Sequence, residues 1–211
     1  MCAGADSIDD MAVLRHGVMK RVFNACYAPS KLGSFLREFA FGHVRQLDAV
    51  AFRFLKGMTE RAPLLRTPGS GDPGFVFVDV DDTIIEVHGH QKQGSGYGYS
   101  GVRGLNALLA IATTDTTAPV ILGQRLRRGV VGSPRGAARM IGDALAILKR
   151  LAPAVGTRVL VRADSAFYGH ATVAAALTAG TDVSITARMD KVVKAAIATL
   201  DENAWTGIEY P

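Results

Sequence analysis

The chain has 211 residues, 48% of them hydrophobic, with a formal net charge of +5. That is enough apolar material for one large core or two smaller ones, and no uninterrupted apolar run approaches the roughly 18 residues of a membrane span. The start, Met1-Cys-Ala-Gly-Ala-Asp6, lacks the basic-then-apolar order of a secretion signal, and Cys2 and Cys26 form no metal or redox spacing, so a reducing cytoplasm is the expected setting.

Residues 8–60 read as helical. Leu32, Phe35, Leu36 and Phe39 recur on one helical face, and Leu47, Val50, Phe54 and Leu55 repeat the pattern. Ala28-Pro29-Ser30 is the expected start of one helix, with Ser30 as its cap. Residues 1–66 are thus expected to form a small helical region that could bind DNA. Residues 1–70 hold 10 Lys/Arg against 6 Asp/Glu, whereas 71–211 hold 14 against 13. A stretch dense in Pro and Gly follows, and 67–74 is the expected linker to a second domain, 75–211.

The pattern then changes to strands. Phe75-Val-Phe-Val-Asp79-Val-Asp81-Asp82 alternates and is β-branched, which predicts a strand over 75–82. A Gly-rich loop, Gly94 to Gly101, precedes two further strands at 105–112 and 119–126. Ser133-Pro134 opens a helix to about Leu151, with Ala138, Ile141, Leu145 and Leu148 facing inward. A strand over 158–163, a helix over 168–179, a strand over 182–187 and a helix over 190–201 complete the order. Strands first paired as a meander and then alternating with helices predict an α/β fold, an α+β type of mixed sheet covered on both faces.

Two strands end in acid: the first at Asp79, Asp81 and Asp82, the fourth at Asp164. A carboxylate at a sheet edge either caps a turn or meets a cation, and three acids in four positions favour the cation at the first strand. Strand alternation sets Asp79 and Asp81 on one face and Asp82 on the other. Seven basic residues between 123 and 150, against the single acid Asp143, form a stripe able to meet phosphates or simply to face solvent. Within it Arg125, Arg127, Arg128, Arg135 and Arg139 are the candidate DNA contacts.

Four stretches carry a likeness to a known family. They are Ala28–Phe39 with Phe41–Leu47, Asp79-Val-Asp-Asp-Thr83, Arg162-Ala-Asp-Ser-Ala-Phe-Tyr168, and Ala204-Trp-Thr-Gly-Ile-Glu-Tyr-Pro211. Together they resemble the group 1 DDE transposases of actinobacterial insertion sequences. The resemblance implies a ribonuclease-H-like core in which the first and fourth strands lie side by side and bring Asp81 and Asp164 together. It also implies catalysis by these two aspartates, with Asp79 in reserve as a metal ligand. Two Mg²⁺ or Mn²⁺ ions, double-stranded DNA (transposon ends and target) as partner, and DNA cleavage followed by strand transfer are implied as well. A homo-oligomer is compatible with it. The family's third ligand is a glutamate on a later helix. Glu202 and Glu209 match that position poorly, so the chain is expected to be a truncated product, inactive alone.

Two rivals remain open. Asp79-Val-Asp81-Asp82-Thr83 also spells the Asp-x-Asp-x-Thr of haloacid-dehalogenase-like phosphatases, with Asp79 as nucleophile and Asp81 as acid around one Mg²⁺. The other rival is a non-catalytic DNA-binding remnant. His88-Gly-His90 reads as incidental. Tyr97 and Tyr99 of the Gly-rich loop suit base stacking or a plain turn, and Trp205 is expected in the core.

Overall fold

A computed structural model describes residues 7–22, 25–62, 64–65, 74–88, 92–151 and 157–207. Most of the expected linker, and also Cys2, His90 and Glu209, fall outside these residues. The chain divides into two compact units, Met1–Arg53 and Phe54–Pro211.

The first unit is helical. It contains α1 (Met11–Arg15), a 3-10 turn (Gly17–Arg21), α2 (Pro29–Arg37) and most of α3 (Phe41–Thr59). Helix α2 starts at Pro29, whose fixed φ is already helical, and Ala28 occupies the cap position with no side-chain bond. Ser30 therefore lies in the first turn and is not the cap. Gly33 is buried because a Cβ there would stand 3.2 Å from Ile8 Cδ1. Phe35 and Phe39 meet edge to face at 5.2 Å between ring centres.

The second unit is built on a mixed sheet. Its strands are β1 (Phe75–Glu86), β2 (Gly96–Tyr97), β3 (Arg103–Thr114), β4 (Thr117–Arg128), β5 (Arg158–Ala163) and β6 (Asp182–Ile185). Its helices are α4 (Ala137–Arg150), α5 (His170–Thr178) and α6 (Lys191–Ile197). β1, β3 and β4 form an antiparallel meander, β5 lies parallel to the other edge of β1, and β6 parallel to β5. The main order is thus β4-β3-β1-β5-β6, with the two-residue β2 added to β3. This is the ribonuclease-H-like arrangement. The short β2 has no periodicity to announce it in the sequence.

Alternation along β1 creates the core. Val76, Val78 and Val80 are fully buried, while Phe75 and Phe77 on the opposite face are half-buried. Each fully buried valine contributes roughly 1.5–3 kcal/mol relative to exposure. Helix α4 packs on β3, β4 and α5 through Ala137, Met140, Ile141, Ala144, Leu145 and Leu148. The expected inward residue Ala138 is only half-buried, and Ala137 takes the core position instead. On the opposite face of β4, Ile121 and Leu126 are more than half exposed. Trp205, expected in the core, is 54% exposed. No helix among the described residues is long and apolar enough to cross a membrane.

Candidate active site

The parallel pairing of β1 and β5 aligns Asp79 with Arg162 and Val80 with Ala163. One residue further along both strands come Asp81 and Asp164. Alternation directs both carboxylates away from the valine core, to the face that also carries Asp79 and Arg162. Asp81 is exposed, and its Oδ1 accepts the Asp82 N–H at 2.7 Å. Asp164 ends its strand as a cap: Oδ1 accepts the Ala166 N–H at 2.8 Å and starts the 3-10 turn Ser165–Phe167. A carboxylate has about four acceptor sites, so one internal bond leaves room for a cation. Two such groups fit Mg²⁺, which keeps much of its water and binds through one or two carboxylates plus substrate phosphates.

Asp79 is differently placed. Arg162 grips it with two parallel bonds, Nε to Oδ1 at 2.7 Å and Nη2 to Oδ2 at 2.8 Å, and stacks on the Phe77 ring. The hydrogen bond to Asp79 raises the Arg162 pKa above its ordinary value, against a smaller effect of burial. A cation at Asp79 would have to displace this guanidinium. Among the described residues no three His, Cys, Asp or Glu side chains are grouped to hold a metal. Glu202 opens an exposed 3-10 turn, Glu202–Ala204, outside any such group.

Asp82 faces the other way, into the core under α4, and is 9% exposed. Its Oδ2 accepts from Arg127 Nη2 at 2.8 Å and from the buried Asn106 amide. Arg127 also donates to Asn106 Oδ1 and to the carbonyls of Ser133 and Arg135, which lead into α4. Burial pulls the Arg127 pKa below its ordinary value, partly offset by the Asp82 charge. Arg127 was expected to meet DNA phosphate, but its guanidinium is engaged inside the fold and is a correction to that reading. Arg125 and Arg139 both approach Asp143, at 3.5 and 3.8 Å. Arg128 and Arg135 are exposed. Of the five candidate arginines, Arg125, Arg127 and Arg139 approach acidic partners, and Arg128 and Arg135 are the exposed ones that suit a phosphate contact.

Of two features near the carboxylates, one has no signal in the sequence and the other reads there only as a loop. The first is an open cleft of about 470 Å³ lined by Ser133, Pro134, Ser165, Ala166, Tyr168, Arg188 and Asp190. It begins at the turn that Asp164 caps, and it brings in the exposed Arg188, which no motif marks. The second is the Gly-rich loop. A Cβ on Gly98 or Gly129 would strike backbone, Gly129 O in the first case and Gly104 O and Gly96 in the second, and a Cβ on Gly96 would meet Val130. The glycines are there because backbones of β2, β3 and the end of β4 approach too closely for a side chain. Gly129→Ala is expected to destabilise the chain by about 1–3 kcal/mol through overpacking, read as a lowered thermal midpoint; an unchanged midpoint would mean the loop is not held this way.

The phosphatase reading requires Asp79 as a free nucleophile, and Asp79 is held by Arg162. It also requires a helix or cap soon after the first strand, where the chain instead builds the antiparallel β3 and β4. Residues 2–210 match the family described as Transposase DDE domain group 1. Among solved structures the chain is similar to the catalytic domain of Mos1 mariner transposase, at 12% identity over 75% of this chain and 74% of that one, with a TM-score of 0.38. It is also similar to piggyBac transposase in its synaptic complex with hairpin DNA, at 14% identity over 96% of this chain and 41% of that one, with a TM-score of 0.41. No curated protein matches it. The assignment rests on the family match, which spans nearly the whole sequence: the chain belongs to the group 1 DDE transposases.

Proposed function

We propose that the second unit acts on DNA as a transposase core, with Asp81 and Asp164 as its metal-binding carboxylates and Mg²⁺ or Mn²⁺ as the cation. The observation that carries this reading is the parallel β1–β5 register, which sets the residues after Val80 and Ala163 side by side on the exposed face. When bound, such ions stabilise the charge that develops on the attacking and leaving oxygens of in-line phosphodiester cleavage. The chain's own contribution is to hold two hard-oxygen donors where β5 ends beside β1, with the cleft of Arg188 opening from the turn after Asp164 to take the flanking strand. Arg128 and Arg135 are further phosphate contacts in this reading. Cleavage at a transposon end, followed by strand transfer, is the reaction that the family membership favours.

The test is DNA affinity with and without metal. Fluorescence anisotropy of a labelled duplex should show tighter binding in Mg²⁺ than in EDTA, because a two-carboxylate site is completed by phosphate oxygens. Equal affinity in the two buffers would remove the metal from the reading and leave only a DNA-binding remnant. Arg188→Ala should weaken binding in both buffers and lower the slope of log affinity against log salt by about one unit. An unchanged slope would take Arg188 out of the DNA path.

A further inference from the structure

We propose that Tyr99 belongs to the carboxylate site, where its phenol donates a hydrogen bond to a phosphate oxygen of the DNA strand held at Asp81 and Asp164. The inference rests on the reading of that edge as a DNA site and adds a residue to it. Tyr99 follows Gly98, whose backbone is pressed between the Gly129 carbonyl and Ile84 of β1. The loop therefore crosses from the β4 edge toward β1 and delivers the tyrosine there. The phenol oxygen lies 3.4 Å from the carbonyl oxygen of Asp82, immediately beside Asp81. That is long for a bond between two oxygens, which are usually 2.5–3.0 Å apart, so the proton is not committed to the carbonyl. The ring is 68% exposed, open to a ligand arriving over the sheet edge.

The surroundings keep that proton in place. Desolvation, and after it the charges of Asp82, Asp81 and Asp164, raise the Tyr99 pKa above its ordinary value of 10.0. A phenol of ordinary pKa, about 10, is already protonated at neutral pH, so Tyr99 is a donor rather than a phenolate. A neutral O–H among carboxylates also offers an anionic phosphate a donor where acids alone would repel it. Tyr97 is the built-in comparison. It is equally exposed, at 68%, but belongs to β2, where it pairs with Arg103.

The experiment measures affinity for a fluorescein-labelled random-sequence duplex in Mg²⁺ and in EDTA, using the full chain and the single variants Tyr99→Phe, Tyr97→Phe and Asp81→Asn. Tyr99→Phe should reduce the Mg²⁺-dependent gain in affinity by about threefold to tenfold, the worth of one hydrogen bond, and leave the EDTA affinity unchanged. Tyr97→Phe should alter neither. A full Mg²⁺-dependent gain in Tyr99→Phe, with the gain abolished in Asp81→Asn, overturns the role of Tyr99 while the metal site stands. No gain in the parent chain overturns the metal site itself, and the tyrosine's role with it. Equal losses in both tyrosine variants assign the effect to the loop as a whole and also overturn the proposal.

Discussion

Asp81→Asn and Asp164→Asn, each made alone, are expected to leave the fold and the metal-free DNA affinity intact and to remove metal-dependent chemistry on DNA. Asparagine keeps the shape and the one internal acceptor bond that each side chain makes, to Asp82 N–H and Ala166 N–H respectively. It discards the negative charge that a hard divalent cation requires. Metal stabilisation of the transition state is worth several kcal/mol, so if the parent chain nicks supercoiled DNA in Mn²⁺ either change should reduce that activity by about a thousandfold or more, and if it does not, either change should abolish the Mg²⁺-dependent gain in DNA affinity. Asp79→Asn is the informative contrast. Its carboxylate is neutralised by Arg162, in a half-exposed pair worth about 0–1 kcal/mol, and its loss should be felt far less. Nicking that survives in Asp164→Asn, or disappears equally in Asp79→Asn, would move the metal site away from the Asp81–Asp164 edge.

The second large effect is on stability. Arg127→Met is expected to destabilise the second unit by about 3–5 kcal/mol, because it strands the Asp82 carboxylate in the core. The side chains of Arg127 and Asp82 are only 11% and 4% exposed, so water cannot replace the lost partner. Asn106 and the carbonyls of Ser133 and Arg135 lose donors at the same time. The double variant Asp82→Leu with Arg127→Met should recover much of that loss, since an apolar pair of similar size carries no uncompensated charge. Urea or thermal unfolding of the parent chain and the two variants measures both effects. A single variant as stable as the parent would show that the buried pair is not a net structural asset.

The sequence made the site legible as two acidic strand segments, although β1 runs on to Glu86 and holds Asp81 at its middle, and made the fold legible as an order of elements. Period-two alternation in β1 correctly separated Asp81 from Asp82, because it depends only on local geometry. What local geometry cannot name is a partner. Arg127 meets Asp82 across 45 residues and Arg162 meets Asp79 across 83, so one looked like a DNA contact and the other attracted no role. Tyr99 reads in the sequence as a base-stacking or turn residue, and its place beside Asp82 stays hidden for a related reason. Its loop has no period, and its position follows from backbone contacts among glycines that are far apart in sequence. Trp205 failed differently: its apolar character pointed to the core, but the 3-10 turn before it leaves the ring outside.

The buried pair also bears on how accurately β1 can be set in the sheet. Asp81 and Asp82 are chemically identical neighbours, and a strand displaced by one residue would send Asp81 under α4 and turn Asp82 outward. The valines would turn outward with it, into the half-buried positions of Phe75 and Phe77. Both alignments give Arg127 and Asn106 a carboxylate, but only the correct one keeps Val76, Val78 and Val80 dry and Asp79 out of the core. Arg127 would accept either acid, so the buried valines decide that it receives Asp82, and the ion pair then fixes the register that leaves Asp81 on the open face.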